Sequence, residues 1–144
     1  MAKKFAIASD HAGFERKQEI ISYLKNRGFE VVDLGPNSQE SVSYAVYGKK
    51  LANFLLENQD QIGIGICGTG LGMSYALNRF KNIRAARVTS ENDAYLAKLH
   101  NNANALALSA RFNSKDESIS FINKFLETEY EGGRHQERID ELDK

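Results

Sequence analysis

Residues 62–73 read IGIGICGTGLGM, and the fold turns on how this stretch divides. Its first half alternates isoleucine with glycine in a short apolar run, which suits a strand buried on both faces. Its second half is a glycine-rich turn leading into an apolar segment of helical period, 70–79. A strand that ends in a tight turn and continues as a helix opens a βα unit. Gly63, Gly65 and Gly68 satisfy the spacing G-x-G-x-x-G, but they begin inside the strand instead of after it, so the stretch is a poor dinucleotide fingerprint. A Walker-type G-x-x-x-x-G-K-[ST] is also missing from the sequence.

The same alternation of short apolar runs and longer amphipathic segments extends in both directions. Strands are expected at 4–9, 30–34, 62–66, 84–88 and 105–108, and helices at about 13–27, 41–57, 70–79, 91–99 and 115–127. In the first helix Phe14, Ile20, Ile21 and Leu24 share a stripe, and Gly28 follows as its stop. Beyond Tyr130 the sequence EGGRHQERIDELDK breaks with two glycines and becomes charged, which gives a C-terminal helical extension. The fold class is therefore α/β: one three-layer doubly wound domain over residues 1–144, with a five-stranded parallel sheet and right-handed crossovers. A flavodoxin-like order, 2-1-3-4-5, is expected. Ligands in such sheets collect beyond the carboxyl ends of the strands where the order reverses. Those ends carry SDHAG, residues 9–13, and CGTGLG, residues 67–72.

Composition sets the boundaries of function. With 19 basic and 19 acidic residues in 144, no overall field draws the chain to nucleic acid or to an anionic membrane. The lone cysteine excludes an internal disulfide, and MAKKFAIASD has too short an apolar run for a signal peptide or membrane anchor. A cytoplasmic protein acting on a small molecule is the expectation.

Cys67 lies where the third strand meets its helix. A thiol there is either a small buried hydrophobe or a base or nucleophile whose thiolate is stabilised by the helix dipole and the unpaired N–H groups. The CGTGLG turn is either a tight connection or a cradle for negative charge. Asp10 reads as a helix cap or as a carboxylate facing the thiol, and His11 as a surface residue or as its neighbour. His100, Asn101 and Arg111, in LHNNANALALSAR, offer an imidazole, an amide and an anion partner around the fifth strand. Arg134 and Arg138 share a helical face by their i, i+4 spacing, with His135 between them, a pattern able to grip an anion.

Taken together, SDHAGFERK, SVSYAVYG, ICGTGLGMS, HNNANALAL and EGGRHQERI resemble the ribose-5-phosphate isomerase B family, which includes the galactose-6-phosphate isomerase subunits. The likeness runs from residue 5 to about 140. It implies aldose-ketose isomerisation of a sugar phosphate, ribose 5-phosphate to ribulose 5-phosphate, with no cofactor and no metal. By that resemblance Cys67 is the base passing a proton between C2 and C1 through a cis-enediolate, assisted by Thr69. The backbone N–H groups of Gly68, Gly70, Leu71 and Gly72 would hold the enediolate oxygen. His100 would open the furanose ring with Asp10. His11, Arg111, Arg134, His135 and Arg138 match the phosphate-binding set, and Tyr44 and Asn101 the substrate contacts. The resemblance further implies a homodimer, or a tetramer of dimers, with each site shared between subunits.

The chain departs from the family in one loop. Where S-V-D-Y-P-D-Y is common, it has SVSYAVY, so Ser43, Ala45 and Val46 replace an acid, a proline and a second acid while Tyr44 is kept. Asn102 stands at a position often acidic, and Ser109 where glycine is common. The preferred substrate stays open among ribose 5-phosphate, galactose 6-phosphate and allose 6-phosphate. A non-catalytic sugar-phosphate-binding module on the same fold is the competing class, since fold alone does not establish turnover. A thiol hydrolase lacks its nucleophile-elbow motif.

Overall fold

The computed structural model describes residues 3–144. Five parallel strands, β1 (Lys4–Ser9), β2 (Glu30–Asp33), β3 (Ile62–Cys67), β4 (Ala85–Val88) and β5 (Ala105–Ser109), form one sheet. The helices are α1 (Phe14–Asn26), α2 (Tyr44–Glu57), α3 (Leu71–Asn78), α4 (Glu91–Leu99), α5 (Lys115–Glu127) and α6 (Arg134–Glu141). Every expected element is present, with ends shifted by at most three residues. The largest shift has a local cause: α2 begins at Tyr44 because the Ser43 hydroxyl accepts the Ala45 N–H at 3.0 Å and caps the helix there.

The sheet order is β2-β1-β3-β5-β4, which corrects the expected 2-1-3-4-5. β5 pairs with β3 in register Cys67↔Ser109, and β4 lies outside it as an edge. The two sequences explain the exchange. ALALS is apolar almost throughout and buried at all five positions, whereas AARV carries Arg87 and buries only Val88 fully. Handedness then places the helices. Right-handed crossovers running one way across the sheet, β2 to β3 and β3 to β4, put α2 and α3 on one face, and those running the other way, β1 to β2 and β4 to β5, put α1 and α4 on the other, where α5 packs beside them. The two cores follow this division, one joining Ile20, Leu24, Ala94, Phe121 and Phe125 and the other Leu51, Leu55, Met73 and Leu77. β2 is an edge strand, exposed or half-buried along its length.

The alternation in IGIGIC now has a packing reason. Ile64 and Ile66 point into the α1/α4/α5 core, and the glycines between them face α2 and α3. A Cβ on Gly63 would lie 2.5 Å from Leu55 Cδ1, and one on Gly65 2.4 Å from Met73 Cγ. Ala6, Ala8, Ala105 and Ala107 continue this layer of small residues, so α2 and α3 lie close against the sheet. Two of the three glycines that mimic a nucleotide fingerprint, Gly63 and Gly65, are thus spent on helix-sheet contact. Among the described residues no helix is long and apolar enough to cross a membrane.

Candidate active site

β1 and β3 are neighbours, and the chain leaves them in opposite directions across the sheet, so a crevice opens beyond their carboxyl ends. Cys67 ends β3 with 4% of its surface exposed. Its sulfur accepts the Gly70 N–H at 3.1 Å. Gly70 adopts φ +80° as the N-cap of α3, a left-handed conformation that turns this N–H inward, and a Cβ there would lie 3.2 Å from the Ala107 carbonyl. The sulfur thus sits at the start of a helix with a backbone donor aimed at it.

The turn is held from three sides. The Ser109 hydroxyl donates to the Gly68 carbonyl at 2.7 Å, the Arg111 N–H donates to the same oxygen at 2.9 Å, and Arg87 Nε donates to the Thr69 carbonyl at 3.0 Å. Inside it, the Thr69 hydroxyl accepts the Leu71 N–H at 3.2 Å. Of the amides assigned to an anion by the sequence, Gly70 and Leu71 are therefore already engaged. Gly72, the second residue of α3, keeps an N–H with no intrahelical acceptor.

Asp10 and His11 follow β1. The Asp10 N–H donates to the Ile66 carbonyl at 3.1 Å and its carboxylate accepts the Gly13 N–H at 3.0 Å, which fixes a buried carboxylate beside the thiol's strand. His11 Nδ1 lies 3.1 Å from the Val42 carbonyl oxygen and 3.3 Å from its nitrogen, tying the loop before α2 to the crevice. Glycine makes room for two further groups. A Cβ on Gly72 would stand 2.7 Å from the Tyr44 ring, and one on Gly68 3.1 Å from the Arg111 guanidinium. The result is a cleft of about 230 Å3 lined by Asp10, His11, Tyr44, Cys67, Thr69 and Arg111, with Gly68 and Gly72 in its floor. A larger hollow of about 340 Å3 between Gln61, Arg84 and Lys98 lies at the amino end of the sheet, so size alone does not locate the chemistry.

The remaining candidates form a second group. His100 closes α4, which returns the chain to the start of β5, so it lies at the amino end of the sheet while Cys67 lies at the carboxyl end. β5 alone spans about 16 Å. His100 stacks on His135 with ring centroids 4.4 Å apart, and the two Nε2 atoms lie 3.6 and 3.4 Å from Glu131 Oε2. Asn101 follows, its carbonyl accepting from Arg84 Nε at 3.2 Å, and Arg134 and Arg138 are exposed on α6. None of these five candidates lines the Cys67 cleft.

Three participants escape sequence reasoning. Arg87 clamps Thr69 from the edge strand, and nothing in AARV announces it. Ser109, noted only as a departure, supplies the hydroxyl that fixes Gly68. Glu131 lies between two imidazoles, and the helical spacing rule does not reach it because it precedes α6 in an irregular segment.

A three-layer α/β domain with a thiol, a carboxylate and an imidazole converging at its switch point has the layout of a small-molecule enzyme. Residues 5–142 match the family model described as Ribose/Galactose Isomerase, and the chain belongs to that family of isomerases. A Mycoplasma genitalium protein named probable ribose-5-phosphate isomerase B is 44% identical over 99% of this chain and 95% of its own. The Escherichia coli ribose-5-phosphate isomerase B is 39% identical over 97% and 94%. Among solved structures, ribose 5-phosphate isomerase from Thermotoga maritima superposes with a TM-score of 0.96 at 46% identity, covering 99% of both chains. The Mycoplasma genitalium enzyme with bound ribulose-5-phosphate superposes at 0.93, covering 99% of this chain and 95% of that one.

Proposed function

We propose that the protein interconverts ribose 5-phosphate and ribulose 5-phosphate, with Cys67 as the base. The observation that carries this reading is the Cys67 sulfur, buried in the cleft and accepting the Gly70 N–H. Sugar carbon acids are weak, so the reaction requires a positioned base and donors for the oxyanion that forms. The thiolate takes the C2 proton of the open-chain aldose and the electrons move onto the C1 carbonyl oxygen; the cis-enediolate passes its O2 hydroxyl proton to O1, and the thiol returns its proton to C1 to give the ketose. Thr69 keeps the turn in register through Leu71, and the Gly72 N–H faces the developing charge. Asp10 and His100 exchange protons with the ring oxygen and the anomeric hydroxyl. His11, Arg111, Arg134, His135 and Arg138 hold the phosphate, whose binding energy fixes the sugar without reacting. Tyr44 and Asn101 contact the sugar hydroxyls.

This assignment calls for two copies of the chain. His100 and Cys67 occupy opposite ends of one sheet, and the cleft of about 230 Å3 is below the roughly 300–1,000 Å3 usual for small-molecule sites. A homodimer that presents the amino end of one subunit to the carboxyl end of the other completes the site from both. The names borne by the relatives, and the ribulose-5-phosphate bound in one of them, support the five-carbon substrate. Replacement of acids by Ser43 and Val46 beside Tyr44 favours assaying galactose 6-phosphate and allose 6-phosphate alongside it.

Proton exchange at C2 of ribose 5-phosphate in heavy water tests the reaction class. Cys67→Ala is expected to lower kcat by roughly 10²–10⁴-fold while a phosphate-bearing inhibitor still binds. Turnover near the wild-type rate in that variant would remove Cys67 from its role. Activity on a six-carbon phosphate alone, or only with a second kind of subunit, would redirect the substrate assignment.

A further inference from the structure

We propose that His100, Glu131 and His135 form a binding site for an imidazole-preferring divalent cation of the Zn2+ class, and that its occupation inhibits the isomerase. The binding half stands on geometry alone; the inhibitory half rests on the function proposed above.

The three candidate ligand atoms lie within 4.8 Å of one another. Glu131 Oε2 is 3.6 Å from His100 Nε2 and 3.4 Å from His135 Nε2. Both separations exceed the 2.7–3.2 Å of a good N–H···O hydrogen bond, so the carboxylate is closed onto neither ring. They match a different requirement. Zinc bonds of about 2.0–2.2 Å at tetrahedral angles place neighbouring ligand atoms about 3.3–3.6 Å apart. The rings now stack at 19°, and since an imidazole binds a metal in its own plane, one ring turns about its side-chain torsions when the ion is bound.

The backbone holds this arrangement before any ion arrives. The His100 N–H donates to Leu96 O at 3.0 Å, and the Glu131 N–H donates to Leu99 O at 2.9 Å, so the Glu131 backbone is tethered to the end of the helix that carries His100. His135 sits in the first turn of α6, its N–H toward Gly132 O at 3.3 Å. Two imidazoles and one carboxylate select Zn2+, Co2+, Ni2+ or Cu2+ over Mg2+ and Ca2+, which prefer oxygen ligands. Partial exposure of all three side chains leaves a fourth position for water.

Metal binding and isomerisation compete for the same lone pairs. An ion held at Nε2 of His100 removes the group that moves the ring-opening proton, and at His135 it removes a phosphate contact. The cation is therefore an inhibitor here, not a cofactor.

Co2+ serves as the spectroscopic probe, added to the metal-stripped full chain, with Zn2+ used in the activity assays. Wild type and Cys67→Ser are expected to bind Co2+ with visible d–d absorption and no sulfur-to-cobalt charge-transfer band. Glu131→Gln and, independently, His135→Gln should weaken binding by roughly tenfold or more. Zn2+ should inhibit wild-type isomerisation reversibly on chelation, and Glu131→Gln should require about tenfold more Zn2+ for equal inhibition. A sulfur band that vanishes in Cys67→Ser, unchanged affinity in both ligand variants, or no binding at all overturns the proposal. Cobalt bound as expected by a chain that isomerises no sugar phosphate upholds the cation site and removes the inhibitory role along with the isomerase reading.

Discussion

Gly68 and Gly70 stand two residues apart in the same turn and are expected to respond differently to alanine. Gly70 has φ +80°, a backbone carbonyl 3.2 Å from where its Cβ would be, and the N–H that reaches the Cys67 sulfur. Gly70→Ala should cost about 1–2 kcal/mol from the left-handed conformation alone, measured by urea denaturation, and should lower kcat as the donor leaves the sulfur. At Gly68 the neighbour is the end of the Arg111 side chain, which can move aside. Gly68→Ala should leave stability within about 0.5 kcal/mol while raising KM through displacement of Arg111. If both variants unfolded at the same urea concentration as wild type, the strain assigned to Gly70 would be wrong. Sequence alone marks all the glycines of CGTGLG alike; only their dihedrals and neighbours separate them.

Among the elements, α5 separates stability from activity. Its start carries a complete capping box: Ser114 accepts the Glu117 N–H at 3.1 Å and the Glu117 carboxylate accepts the Ser114 N–H at 2.9 Å. The helix buries Phe121, Ile122 and Phe125 against the sheet, away from the cleft. Ser114→Ala is expected to cost about 1 kcal/mol in denaturant unfolding and to leave kcat and KM unchanged. A drop in kcat without loss of stability would show that α5 bears on the site after all. The boundaries of α5 were legible because apolar period and capping residues agree there. The exchange of β4 and β5 was not, because strand order depends on which strand can bear an edge. The arginine in AARV was the one local sign of it.

At the scale of the whole molecule, the placement of His100 and Cys67 at opposite ends of one sheet yields a complementation test. Cys67→Ala and His100→Ala chains should each be inactive alone. Mixed and allowed to exchange subunits, they should form heterodimers in which, under the shared-site proposal, one of the two sites has both groups intact. With half of the dimers mixed, activity should recover to about a quarter of wild type, read directly as initial rate. No recovery, with subunit exchange verified, would mean that the site is not shared in this way.

The sequence by itself determined the α/β class, the extent of nearly every element, the parallel sheet and the chemical groups worth examining. These are local properties: periodicity, turn chemistry and residue type act over a few neighbours. Tertiary structure decided the strand order, the packing role of Gly63 and Gly65, the engagement of the Gly70 N–H by sulfur, and the division of candidates between two ends of the sheet. Each of those depends on which segments meet across long stretches of chain. For that reason the motif that suggests a nucleotide loop proves to be a close-packed strand ending in a thiol, while five of the candidate residues gather at the far end of the sheet.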